Sequence, residues 1–306
     1  MRISNNITYS DFIRNLGTNA SNVHKTLNQL SSLKEVSKSS ENPLLISKIM
    51  NLTGSINQNA TFGSTIKDSI SWSKVQDSTL DNVSKSMLRI RSLIQSSAND
   101  TNGDDELKAN KAEIEEEIEG IVEALNTNYD GRYIFGGTST TTPPFEIVKE
   151  DGEIVGIKYN GTSKDLPREI ANGVSVDLLS DGSRLMKETG TESDPENLST
   201  YFNDLLSALR TDDKEALGGK LLEAHDEYAN HFVNVRSQIG ALYNRLEAAS
   251  DRNETEKLNL TETLSNKQDI DFVEKYMEFS NQMTAYQSTL AMGTKIMQLT
   301  ILDYVR

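Results

Sequence analysis

Three histidines, His24, His225 and His231, carry the richest chemistry in a chain of 306 residues that has no cysteine. A metal ion or a general base would need them grouped with one another, or with carboxylates, at ligand spacing. They are not so grouped: His225 and His231 stand six apart on a helical repeat and face different sides. The acidic run Glu113, Glu115, Glu116, Glu117 and Glu119 surrounds Ile114 and Ile118, which places its carboxylates on the solvated face of an amphipathic helix. Gly131-Arg132-Tyr133-Ile134-Phe135-Gly136-Gly137 is glycine-rich, but no Lys-Ser/Thr pair and no helix follow it, as a phosphate-binding loop requires. It reads instead as a strand flanked by tight turns. No serine sits in a Gly-x-Ser-x-Gly elbow. The pattern predicts neither catalysis, nor a metal, nor a cofactor.

What does repeat is apolar spacing. Phe272, Tyr276, Phe279, Met283, Tyr286, Leu290, Gly293, Met297, Thr300 and Tyr304 follow one another in alternating steps of four and three. Leu16, Ala20, Val23, Leu27 and Leu30 repeat the same steps near the N-terminus. A seam of this spacing needs a partner helix. Both ends therefore read as coiled-coil elements that pair with each other or with neighbouring subunits.

The five prolines, at 43, 143, 144, 167 and 195, leave two long stretches in which nothing breaks a helix. The first carries Leu45, Ile49, Leu52 and Ile56, then Leu80, Val83, Met87, Ile90 and Ile94, and predicts a helix over 43–98 roughly 80 Å long. A shorter one is predicted to about residue 126. Between residues 131 and 190 short apolar runs alternate with Gly136-Gly137, Asp151-Gly152, Asn160-Gly161, Asn172-Gly173 and Asp181-Gly182, the punctuation of antiparallel strands. Helices resume after Pro195, and a polar stretch over 251–267 reads as a joint before the terminal seam.

The predicted fold is mainly α: a long antiparallel helical bundle with paired N- and C-terminal helices and a small antiparallel β domain. Residues 1–42 and 268–306 form a terminal coiled-coil arm, 43–130 and 191–267 a helical rod body, and 131–190 an outward β insertion. An insertion lying outside the seams should be removable without unfolding the body.

With a formal charge of −15, the chain is a poor match for nucleic acid or an anionic membrane surface. No apolar run is long enough to span a bilayer, and the first residues lack the apolar stretch of a cleaved secretory signal. A helical intracellular scaffold and an enzyme acting through the β insertion are the readings from other classes.

Met1-Arg2-Ile3-Ser4, the segment from Leu30 to Pro43, Leu88-Arg89-Ile90-Arg91-Ser92-Leu93, the Gly131 to Gly137 run followed by Pro144-Phe145, and Val235-Arg236-Ser237-Gln238-Ile239-Gly240 resemble the flagellin superfamily in order and spacing. Within it the likeness is to the hook-filament junction group, since the motif Gly131, Arg132, Tyr133, Ile134, Phe135, Gly136 and the ending from Tyr286 to Arg306 favour that group over flagellin itself. The resemblance implies export without a cleaved signal through the flagellar type III apparatus and a chaperone on the C-terminal seam. It further implies assembly with other copies of itself, as a ring between the first hook-associated protein and the flagellin filament, outside the cell. The assembly seam it implies is Leu16, Val23, Leu27, Leu30, Phe272, Tyr276, Phe279, Met283, Tyr286, Leu290, Met297 and Tyr304. Leu33 stands where the group commonly has glycine and Ser39 where it commonly has proline, which implies a more helical joint between arm and body.

Overall fold

The computed structural model describes residues 2–99, 103–150, 152–187, 189–191 and 194–302. Two compact units emerge from its contacts: Met1–Asn59 with Thr255–Arg306, and Ala60–Glu254. These divisions fall within long helices, at 59/60 and 254/255, and not at 42/43 and 267/268.

The first unit pairs α1 (Arg2–Ser32) with α8 (Phe272–Leu302), antiparallel, and includes the start of α2 (Pro43–Ser97) and the end of α7 (Lys220–Gln268). α1 stops because Leu33 adopts a left-handed conformation, φ 57°, at a cost of about 1 kcal/mol for a residue with a Cβ. The buried Gln29 side chain offsets this by donating from Nε2 to the Glu35 carbonyl at 2.6 Å. Glu35 N then donates to the Gln268 carbonyl at 2.8 Å and Ile270 N to the Leu33 carbonyl at 3.2 Å, tying the two turns together. Asn42 restarts the helix: its Oδ1 accepts from Leu45 N at 3.1 Å, and Pro43 occupies the first helical position, where a missing N–H costs nothing. The joint is therefore not more helical for having Leu33, which itself takes up the left-handed turn that ends α1. At the other joint, Asp271 Oδ1 caps α8 by accepting from Val273 N at 2.9 Å and Glu274 N at 3.1 Å.

The polar stretch over 251–267 is no joint at all. α7 runs through it to Gln268, because it contains neither glycine nor proline and its Asn, Thr and Glu side chains are solvated.

In the second unit a single apolar core is built from α2, α3 (Asp104–Leu125), α5 (Leu198–Thr211) and α7, with the short α4 (Ser183–Met186) and α6 (Lys214–Gly218) at its margin. Ile66, Leu80, Met87 and Ile94 of α2 meet Ile114, Ile118 and Leu125 of α3, Phe202 and Leu205 of α5, and Phe232, Ile239 and Leu246 of α7 in it. Four antiparallel hairpins join them: β1 (Asn128–Tyr129) with β2 (Arg132–Tyr133), β3 (Phe145–Glu150) with β4 (Glu153–Tyr159), β5 (Leu166–Ala171) with β6 (Val174–Leu178), and β7 (Thr189–Thr191) with β8 (Asp194–Glu196). No two of these ladders merge into a wider sheet among the described residues. A lone two-stranded hairpin is marginal in water, and each of the two longer ones leans on helices through Phe145, Ile154, Ile157, Val176 and Leu178, all buried in the common core. The strands thus contribute side chains to the same core as the helices.

Candidate assembly face

The seam between α1 and α8 repeats in steps of four and three, displaced from the apolar series. Phe12, Leu16, Asn19, Val23, Thr26 and Leu30 of α1 are at least half-buried, as are Lys275, Phe279, Gln282, Tyr286 and Thr289 of α8, while Gly293 is buried. Polar pairs fill what a leucine zipper would fill with leucine. Asn19 Nδ2 donates to Thr289 Oγ1 at 3.0 Å, and the Thr26 hydroxyl, 2% exposed, donates to Gln282 Oε1 at 2.8 Å. Gln282 in turn donates to Glu278 Oε1 at 3.0 Å, and Lys275 lies 3.1 Å from Glu278 and 3.5 Å from Glu35. Desolvation works to lower the Lys275 pKa, but the hydrogen bond to Glu278 and the charge of Glu35 outweigh it and hold the ammonium above its usual range. Gly293 leaves room for the Phe12 ring of α1: a Cβ there would meet Phe12 Cζ at 2.2 Å.

Val23 is buried as its spacing predicts, and Leu16, Leu30, Phe279, Met283 and Tyr286 are half-buried. Leu27, Phe272, Tyr276 and Leu290 are not covered by the partner helix and stand 45, 55, 57 and 42% exposed. The Phe272 and Tyr276 rings stack on each other at 6.3 Å in the open, beside exposed Val273 and Met277. The Met297 side chain, and Tyr304 altogether, lie outside the described residues. The paired helices therefore bury a half-polar stripe against each other and leave apolar side chains outward. Sequence reading misses Asn19, Thr26, Gln282 and Thr289, although their own spacing, interleaved with the leucines, is the same four-three ladder.

The glycine-rich motif lies in the second unit and is architectural. Asp130 and Gly131 both have positive φ, 51° and 75°, as the two central residues of a type I′ hairpin turn must. Only Arg132 and Tyr133 are strand; Ile134 and Phe135 drop into the core, 0 and 1% exposed, in place of the expected continuous strand. Buried Gln76 donates from Nε2 to the Ile134 carbonyl at 3.2 Å and the Leu179 carbonyl at 2.7 Å, so that α2 holds the motif to the end of β6. Gly136 packs so tightly that a Cβ would meet the Ser139 carbonyl oxygen at 2.3 Å.

Of the histidines, His225 is fully buried between Tyr201 of α5 and Met87 of α2. A carbonyl only accepts, so Nε2 donates to Met87 O at 2.8 Å and Nδ1 accepts the Tyr201 hydroxyl at 2.7 Å. Burial lowers the His225 pKa and raises that of Tyr201 well above its usual value. Among the described residues no group of three His, Asp or Glu could hold a metal ion, and no helix is long and apolar enough to cross a membrane.

The family model for the bacterial flagellin N-terminal helical region matches residues 3–140, and that for the C-terminal helical region matches 222–305. The chain is 25% identical over 320 residues to flagellar hook-associated protein 3 of Escherichia coli K12, covering 98% of both chains. It is 21% identical over 300 residues to the flagellin of Bacillus subtilis 168, covering 95% of both. The crystal structure of Bacillus cereus FlgL superposes with a TM-score of 0.56 at 25% identity, over 70% of this chain and 99% of that one.

Proposed function

Because the chain belongs to the bacterial flagellin family, we propose that it is a structural subunit of the flagellum, a hook-associated junction protein that joins hook to filament. The observation that carries this reading is the exposed apolar series Leu27, Phe272, Tyr276 and Leu290 on helices that are already paired. Apolar side chains left in water along a helical ladder are favourably covered by another helix at about 25 cal/mol per Å², and in a subunit of this kind the neighbours in the axial tube supply it. The half-polar inner seam fits the same role: it aligns α1 with α8 while keeping the more apolar side outward.

Several finer assignments rest on the resemblance and on this geometry. The neighbours are further copies in a ring, the first hook-associated protein on one side and flagellin on the other. Before export, the C-terminal seam is held by a chaperone, and the protein leaves through the flagellar type III apparatus to act outside the cell. Flagellin itself is the weaker reading, because the chain matches hook-associated protein 3 at higher identity and over more of its length than it matches the B. subtilis flagellin.

The test is the double substitution Met283→Asp, Leu290→Asp. Two carboxylates in a stripe that assembly buries would cost several kcal/mol each if left unpaired, whereas Leu290 is open to water in the single chain. Cells carrying the variant should keep hooks, release flagellin into the medium and fail to swim, with the secreted variant measured separately from the hook-bound fraction. Normal filaments would contradict the role given to this face.

A further inference from the structure

Asparagine followed by glycine is chemically labile, because no Cβ shields the next backbone nitrogen from the asparagine side-chain carbon. Two such pairs are fully described, Asn160-Gly161 and Asn172-Gly173, and the fold treats them oppositely. Asn160 is exposed, as Asn172 is, but it is held on several sides. Its Nδ2 donates to Glu146 Oε2 at 2.9 Å, its backbone N donates to the Pro144 carbonyl at 2.7 Å, and the Tyr159 ring crowds Gly161, with the hydroxyl oxygen 2.3 Å from where a Cβ would stand. Tyr159 cannot easily yield, since its hydroxyl also accepts from Gly182 N at 3.1 Å.

Asn172 sits at the exposed tip of the β5–β6 hairpin, with no hydrogen bond or ion pair to its side chain among the described residues. Gly173 has φ +70° and nothing within 4 Å of its missing Cβ. A register shift between Glu169 and Ala171 loosens the ladder next to the turn. One bond restrains the nitrogen: Gly173 N–H donates to Glu169 Oε1 at 3.1 Å, between exposed groups.

We infer that Asn172 is a site of spontaneous deamidation in the folded protein, that Asn160 is protected, and that Glu169 acts as the brake at Asn172. Gly173 N attacks Asn172 Cγ and forms a new C–N bond. The Cγ–Nδ2 bond breaks, and ammonia leaves with the proton that Gly173 N gives up. Water then opens the cyclic imide to aspartate or isoaspartate, so that overall one water enters and one ammonia departs. A new carboxylate appears at the hairpin tip of a chain that is already strongly acidic.

The experiment incubates the full-length protein in mildly alkaline buffer and follows both sites by peptide mapping with mass spectrometry, resolving asparagine, aspartate and isoaspartate. Conversion at 172 should outpace that at 160 by about tenfold, the scale set by the bonds and packing that Asn160 must give up. Glu169→Ala should speed conversion at 172 and leave 160 unchanged, and in denaturant the two sites should converge. Equal or faster conversion at 160 in the folded protein would overturn the assignment. So would rates that stay apart in denaturant, which would place the difference in local sequence; a Glu169→Ala variant no faster at 172 would overturn the brake.

Discussion

A buried imidazole ties three helices of the second unit, and its two bonds require the neutral form. The His225 pKa is lowered below its ordinary 6.5 chiefly by desolvation, while the unfolded chain keeps the ordinary value. The unfolded state therefore binds more protons as the pH falls below 6.5, and stability is present above that value and lost on the acid side. The expected loss is about 1.4 kcal/mol per pH unit until the folded-state value is passed. Thermal melts of wild type and His225→Leu should show it: the variant is less stable at neutral pH, since the Tyr201 hydroxyl loses its partner, and its melting temperature changes less as the pH is lowered from 6.5 toward 5. Parallel pH profiles would show that His225 is not the titrating group. Leu33 makes the opposite kind of prediction. Leu33→Gly should stabilise the first unit by about 1 kcal/mol by relieving the left-handed strain, read as slower hydrogen exchange in α1. The strain was not legible in advance, because a leucine between Ser32 and Lys34 looks like one more turn of helix. Only the cap at Asn42 and the Gln29 bond to Glu35 make the turn necessary.

At the scale of elements, periodicity made the long helices readable and misled where polarity stood in for it. α2, α3 and α8 follow their apolar steps, but the Asn- and Thr-rich end of α7 is helical because nothing in it breaks a helix, although Leu258, Leu260 and Leu264 are its only large apolar residues. The hairpin signals at Gly152 and Gly173 mark real turns, with φ +87° and +70°. Gly182 instead marks close packing, since a Cβ there would stand 2.5 Å from the Phe135 carbonyl oxygen. How the hairpins bury their faces was beyond sequence reading, because alternation tells which side of a strand is apolar and not which helix covers it. The consequence can be measured. Excising residues 138–190 removes Phe145, Ile154, Ile157, Val176, Leu178 and Leu185 from the common core, at about 1.5–3 kcal/mol for each large side chain, against a net stability of about 5–15 kcal/mol for a domain. The shortened protein should lose its cooperative thermal transition in circular dichroism. A sharp, near-native melt would show that the helices close a core of their own.

For the whole molecule, what was legible was a mainly helical chain whose N- and C-terminal helices pair. What was not legible was the phase of the terminal seam. The apolar series and the interleaved polar series have the same spacing, and the pairing of α1 with α8 uses much of the polar one, leaving Leu27, Phe272, Tyr276 and Leu290 outward. That division of one helix pair between an inner polar seam and an outer apolar stripe underlies the assignment to an axial assembly of the flagellum. The most direct measurement is immunogold labelling of isolated flagella with antibody raised against this chain. The account predicts a single cluster of label where the hook meets the filament. Label running along the filament would make the chain a flagellin, and label confined to the cell body would contradict a place in the flagellum.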